Sequence, residues 1–560
     1  RQLGSSPRQG SPGTLGWQWR CNVRAGKMRE GSVLIILQVL SFPRWTGKAT
    51  PDADDAICAV GDSCVTGVRK VPERPYIWPM ARGPVGSHAT SPYQGPRSLS
   101  SSLAWSWHPD GGRFSGPMNA GAMLIDDKKN IYTQYAALIH KFSPDGRLLW
   151  TFSVEDSSSD IPALMDGLLY ATSRLGHVEA VSMESGKRVW KSAQSCTWNT
   201  KTACKCQSSC HCQRIGDDVG AVGAHRGVVI VGSHAPAGGD GSCRAAGLNA
   251  SDGAFLWDYA SDKMIWNFHP IFTDDGESFL FQDHGGGVYR VGLDGREIWK
   301  AGGSSEGWRE TFTDGGLQTG PNGVVYAVKA LGGNNIGPGC VRAYRIDDGS
   351  FLWQSPDMDE VPNTWPVIGR MRKDDPLTVI IATGRCGSGI PPPFFPFLDG
   401  LGSLWQSRLG APVLNWLRLA MIAFTDWLGD YAQEFWAIPD MQAEVWGMDA
   451  ETGVLLWKWA PPPWKRGLFR GEYQRALAGE MCCLPNPAGN PTLDASGDYY
   501  IGMLDGIIYH LRRDDHGPGV KVVSTFDAEM AFANGGVSIA PGMMGIASCN
   551  TVFVFKGGDW

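Results

Sequence analysis

The chain has 560 residues, with 50 Lys and Arg against 56 Asp and Glu, a net charge of −6, and an abundance of Gly (73) and Trp (24). There is no basic stripe, so nucleic-acid binding has no electrostatic support, and the length suits one large repeat array as well as several domains. So many Gly and Trp residues predict many tight turns and interlocking aromatic plates.

Residues 1–27 are rich in Gly, Ser and Arg without periodicity, and are expected to be disordered. From Met28, flanked by Lys27 and Arg29, the apolar run Val33 to Leu40 and the small residues Gly47 and Ala49 give residues 28–49 the layout of a secretory signal sequence. The run is too short to span a bilayer comfortably. An internal strand, or part of a longer targeting leader, are the other readings of the same residues. Residues 50–102 form an irregular lead-in, where Cys58 and Cys64 could make a small staple. Leu103 to Trp107 is then a strand with no repeat of its own.

After it, a short strand runs six times into a Gly-containing turn and ends on tryptophan: Trp150, Trp190, Trp257, Trp299, Trp353 and Trp457. From Trp150 to Trp190 is 40 residues and from Trp257 to Trp299 is 42, the length of one four-stranded propeller blade. Longer intervals mark insertions: 196–216, a Cys-rich loop; a Gly-rich loop at 332–339; and 386–440, inside the sixth unit. Carrying the register outward predicts an all-β fold over 103–560, a single propeller of eight four-stranded blades. Only the last blade, Gly535 to Phe555, lacks an outer strand, and Leu103 to Trp107 is expected to supply it and leave no large free edge. Each repeat tryptophan is expected to be largely buried between consecutive blades.

The copies Ala180, Gly186, Trp190 and Asp449, Thr452, Gly453, Trp457 resemble the docking motif Ala-x-Asp-x-x-Thr-Gly-x-x-x-Trp of the pyrroloquinoline-quinone-type β-propeller repeat family, the quinoprotein alcohol dehydrogenase-like propellers. The segment Trp78 to Gly83, followed by Ser91 to Pro96, looks like the sequence that leads into such propellers. The resemblance covers roughly Trp78 to Phe555. It implies either a propeller that binds other proteins, as members of this family do, or a quinoprotein that uses pyrroloquinoline quinone and calcium to oxidise alcohols or sugars.

An enzyme of the second kind needs oxygen ligands for a divalent ion, a carboxylate base and an aromatic floor. The candidates for the cofactor site are Trp308, Asn363, Trp365 and the adjacent pair Cys482 and Cys483, with Glu306, Asp314 and Asn534 as further polar groups near blade starts. Trp and Asn at blade starts also serve packing and turns, and adjacent cysteines in this family lie in an early blade rather than the seventh. No metal-and-quinone set aligns, and no catalytic residue is assigned. Cofactors are accordingly not expected on the first reading. Cys204, Cys206, Cys210 and Cys212, with Cys196, His211 and Cys243 nearby, suit either tetrahedral zinc or a disulfide framework in an oxidising compartment.

The 386–440 insertion opens on Pro391 to Phe397 and continues through 414–428, apolar on almost every side for about four helical turns. A helix apolar all round is normally buried. Phe394, Phe395, Trp416, Met421, Phe424 and Trp427 are the candidates for a protein-binding surface, with a membrane surface second and packing over the propeller's own strands as the bland alternative. The sequence reading is therefore a protein-binding or scaffolding platform, secreted or held in an extracytoplasmic lumen, with the quinoprotein oxidoreductase as its rival.

Overall fold

In a computed structural model the chain divides into two units, Arg1–Val68 and Arg69–Trp560. The structure describes residues 76–560 apart from 115–120, 156–159, 174, 199–219, 234–241, 266, 304–315, 332–337, 363, 385–419, 421–422, 425–426, 429–441, 466–468, 479–487, 533–535 and 558–560. The expectations for residues 1–75 lie outside these residues.

Among the described residues, thirty-two strands pair into eight antiparallel sheets of four. Seven sheets take their strands in sequence order, over 124–153, 163–191, 223–265, 271–302, 317–354, 367–459 and 492–527. The eighth uses Ser538–Ala540, Met543–Ala547 and Val552–Lys556, and its outer strand is Leu103–Trp107 from the other end of the fold. That strand runs antiparallel to its partner with Leu103 opposite Phe555 and Trp107 opposite Val552, with a bulge between Leu103 and Trp105. Inner strands touch between blades 2 and 3, 4 and 5, 5 and 6, and 6 and 7, and those of blades 8 and 1 touch as well, so the ring closes. The fold is an eight-bladed β-propeller, and closure by an N-terminal strand removes an otherwise unpaired edge. The outer strand of the third blade, Phe255–Ile265, continues well past the repeat tryptophan Trp257, because a bulge lets Ser242 pair with Ile265.

The repeat tryptophan works as a latch. The indole N–H of Trp150 donates to Met183 O (3.1 Å), of Trp190 to Ala250 O (2.9 Å), of Trp257 to Leu293 O (2.6 Å), of Trp299 to Ile346 O (2.8 Å) and of Trp353 to Ala450 O (3.2 Å), each acceptor belonging to the next blade. The ring of each also lies on the turn glycine of that next blade. At Gly253 and Gly453 a β-carbon would stand 2.6 and 2.5 Å from Trp190 and Trp353. Both glycines have φ above +70°, so the turn needs glycine for its backbone and for the space above it. Trp299, Trp353 and Trp457 are buried, whereas Trp150, Trp190 and Trp257 are half-buried at the rim.

Antiparallel pairing sends the links between second and third strands, and those between blades, to one face of the ring. The longest links belong to these two kinds: those between Trp107 and Leu124, Lys191 and Gly223, Gly302 and Leu317, Gln354 and Val367, Gly384 and Ala443, and Trp459 and Thr492. The opposite face carries the short turns.

Candidate functional site

The bore of the ring is occupied by the lead-in. Trp78 exchanges two backbone hydrogen bonds of 2.9 Å with Ile125 of blade 1, and Pro79 O accepts from Leu164 N of blade 2 at 2.8 Å. Arg82 donates to Leu317 O of blade 5. His88 Nδ1 donates to Thr319 O of the same blade at 2.9 Å, and His88 O accepts from Ile368 N of blade 6 at 3.1 Å. Ser91 N reaches Leu493 O of blade 7 (2.8 Å) and its hydroxyl reaches Ile539 O of blade 8 (3.2 Å). Tyr76, Trp78, Ala81, Arg82, Ala89 and Ser91 are all buried by this path. Facing blades 3 and 4 the strap leaves a cleft of about 430 Å³, partly open to solvent, lined by Arg82, His88, His269, Phe272, Gln318 and Thr319 among others.

Two basic side chains of the strap define the electrostatics here. Arg82 has lost its water on burial, which lowers its guanidinium to about 9, and it lies 4.9 Å above the ring of Trp365. His88 is held below its ordinary value by burial, against the opposing pull of Asp274, whose carboxylate is 3.5 Å from Nε2. Trp365 is itself buried, fixed by hydrogen bonds of 3.1 Å from its backbone N–H to Asn490 Oδ1 and from its indole to Pro491 O, with His269 against it. Gly536 abuts its six-membered ring, where a β-carbon would stand at 3.0 Å. A flat quinone could lie on Trp365 only by displacing Arg82, so in this geometry the ring is a packed side chain and offers no open floor.

Of the other cofactor and metal candidates, Trp308, Asn363, Cys482, Cys483, Cys204, Cys206, Cys210 and Cys212 lie outside the described residues, as do Glu306, Asp314 and Asn534. Among the described residues no three His, Cys, Asp or Glu side chains group as a metal site. Of the partner-surface candidates, Phe394, Phe395, Trp416 and Met421 lie outside as well. Phe424 and Trp427 are helical and 40% and 78% exposed, their rings stacked at 5.9 Å. No helix among the described residues is long and apolar enough to cross a membrane.

One grouping had no signal in the sequence. His510 Nδ1 is 3.3 Å from the Ser524 hydroxyl and Nε2 is 2.9 Å from Asp498 Oδ2, the order of a hydroxyl, an imidazole and a carboxylate. The surroundings make it a brace. His510 is fully buried and stacked on Tyr500, Ser524 Oγ accepts the Leu99 N–H at 3.1 Å, and Arg512 binds both oxygens of Asp498. Burial works against the Asp498 charge, but Arg512 and His510 outweigh it and hold the carboxyl below its ordinary value. A hydroxyl tied to a backbone N–H beside a buried imidazole has no room for a substrate. Residues 14 apart on paired strands come together only through register, which spacing alone does not display.

A bore occupied by its own strap, a ring of latched blades and one face that carries the longest loops describe this propeller. The family model for the outer membrane protein assembly factor BamB matches residues 135–314 and 176–363. Over these residues the repeats resemble the pyrroloquinoline-quinone type. The chain is 23% identical over 349 residues to the 1-butanol dehydrogenase (cytochrome c) of Thauera butanivorans, a match that takes in 59% of this chain and 41% of that enzyme. Among solved structures, the quinohemoprotein alcohol dehydrogenases of Pseudomonas putida HK5 and Comamonas testosteroni each superpose with a TM-score of 0.51 at 12% identity. The first covers 87% of this chain and 81% of its own, the second 88% and 82%. At that identity the likeness is one of fold.

Proposed function

We propose that the protein is a non-catalytic propeller that binds another protein on its loop face, with the 386–440 insertion as the contact. The observation that carries this reading is the exposed, stacked pair Phe424 and Trp427, on a segment whose described residues contribute no strand to the ring. Strand Thr378–Gly384 pairs with Ala443–Asp449 across the base of the insertion, Gly384 facing Ala443, so the blade is complete without it. Exposed aromatics of this size carry interfaces. Phe394, Phe395, Trp416 and Met421 extend the same surface in this reading. The repeat match to an outer membrane assembly factor supports a binding role and an extracytoplasmic compartment.

The test compares the full chain with F424A/W427A and with a variant spliced from Gly384 to Ala443. Both should keep the strand-rich circular dichroism and the melting temperature of the parent and lose its co-purifying partner. A spliced chain that fails to fold, or variants that keep the partner, would defeat the proposal.

The rival reading, a quinoprotein oxidoreductase, draws on the match to an alcohol dehydrogenase and on the desolvated Arg82, whose charge suits an acidic quinone. Stoichiometric quinone absorbance and calcium in the purified protein, with alcohol-dependent dye reduction, would replace the platform reading by this one.

A further inference from the structure

The turn between the third and fourth strands of blade 3 carries Asn249-Ala250-Ser251, the chain's one Asn-x-Ser/Thr sequence with no proline in the middle. Asn249 ends strand Ser242–Asn249, while Ser251 and Asp252 are exposed at the tip of the turn. The Asn249 side-chain oxygen accepts two hydrogen bonds of 2.9 Å, one from the backbone N–H of Ser251 and one from its hydroxyl. The amide nitrogen, Nδ2, makes no hydrogen bond among the described residues.

The repeats say what the fold needs at this position. In blade 6 the equivalent residue is Asp449, whose Oδ1 accepts from Glu451 N (3.0 Å), Thr452 N (2.9 Å) and the Thr452 hydroxyl (2.8 Å). One oxygen therefore suffices to hold the turn. Asn249 supplies the same oxygen and has a nitrogen left over. The Ser251 hydroxyl donating to that amide oxygen draws electron density from the nitrogen and favours loss of a proton from it.

We propose that Asn249 is the acceptor of an N-linked oligosaccharide, a reading that rests on the extracytoplasmic placement argued above. In the reaction Nδ2 forms a bond to the anomeric carbon of an oligosaccharide carried on a polyprenyl pyrophosphate. The bond from that carbon to the pyrophosphate oxygen breaks, the lipid pyrophosphate leaves with the electron pair, and Nδ2 gives up one proton. No oxidation state changes. The modified amide keeps its oxygen for the turn, so the glycan does not disturb the latch that Trp190 makes to Ala250 O at 2.9 Å in the same turn. The turn also lies on the short-turn face, away from the loop face offered to a partner.

The test expresses the full chain in a eukaryotic secretory host, once with its own N-terminus and once behind an added cleavable leader. The expected result is one glycoform, collapsed by peptide-N-glycosidase with conversion of Asn249 to Asp in mass mapping. N249D and S251A should abolish it and S251T should preserve it. N249D should also keep the parent melting temperature, because it reproduces the oxygen that Asp449 supplies in blade 6. Unmodified protein recovered from the added-leader arm overturns the proposal. Modification in that arm alone supports the acceptor assignment and overturns the localisation reading instead.

Discussion

The latch tryptophans show how a residue becomes architecture. Each fills the gap between two sheets and satisfies its indole N–H on a neighbour's carbonyl, so replacing it removes a plate and a hydrogen bond together. Trp353→Ala should cost about 3–5 kcal/mol in denaturant titration, the range for large aromatics cut from a core. Trp353→Phe, which keeps most of the plate, should lose only about 1 kcal/mol for the missing bond. An unchanged midpoint for Trp353→Ala would remove the latch from the account. Five of these residues are legible in the sequence because a Gly turn precedes each. A sixth, Trp105, is not: it donates at 2.9 Å to Pro144 O, 39 residues along in the chain, and lies on Gly146, with no turn motif of its own. The polar interior is equally hard to read ahead. Burial holds His140 and His284 down at about 4 from an ordinary 6.5. Their folded values lie below the unfolded one, so the unfolded chain binds more protons between those limits. Their contribution to stability is thus complete above about pH 6.5 and lost as pH falls toward 4. Urea midpoints should decline across that window, and His284→Gln should flatten the decline. A midpoint that holds level from pH 7 to 4 would contradict the burial argument.

At the scale of elements the blades were nearly all legible, since four strands and a tryptophan in about 40 residues fix both period and register. The outer strand of the third blade was not, because Asp258, Asp262 and Lys263 interrupt its pattern while its backbone goes on pairing. The strap was foreseen only as a stretch resembling a lead-in, since its bonds reach strands far along the chain. Its far end has a specific task. Six of the eight blade junctions carry the tryptophan latch, but among the described residues the junctions from blade 6 to 7 and from 7 to 8 do not. There Trp459 meets Tyr509 edge-on at 5.1 Å, and Phe526 packs on Phe553 and Phe555 at 5.4 and 5.1 Å. The strap runs along these same blades, with Gly95 N on Asp494 (2.8 Å), the Tyr500 hydroxyl on Pro96 O (3.0 Å) and Leu99 fully buried against the outer strand Val520–Asp527. Leu99→Ala should therefore speed amide exchange in Val520–Asp527 and Val552–Lys556 while leaving blades 2 to 5 protected. Uniform acceleration round the ring would mean that the strap is not the local fastener.

For the whole molecule, the candidate site was less legible than the fold, and for a physical reason. A repeat writes its packing into every copy, whereas a site is written once, in loops whose partners come from distant blades. Trp365 could be named from its place at a blade start, but not the Arg82 guanidinium that covers it from the strap. A surface built from six unequal loops on one side also makes the two faces chemically different, although the ring beneath them is nearly regular.

The strap gives the ring a hub. With the lead-in bonded to the inner strands of six blades, blades far apart round the circle are tied to one another through a single short segment of chain. A pull on one of them is then carried to the others without passing through the blades between.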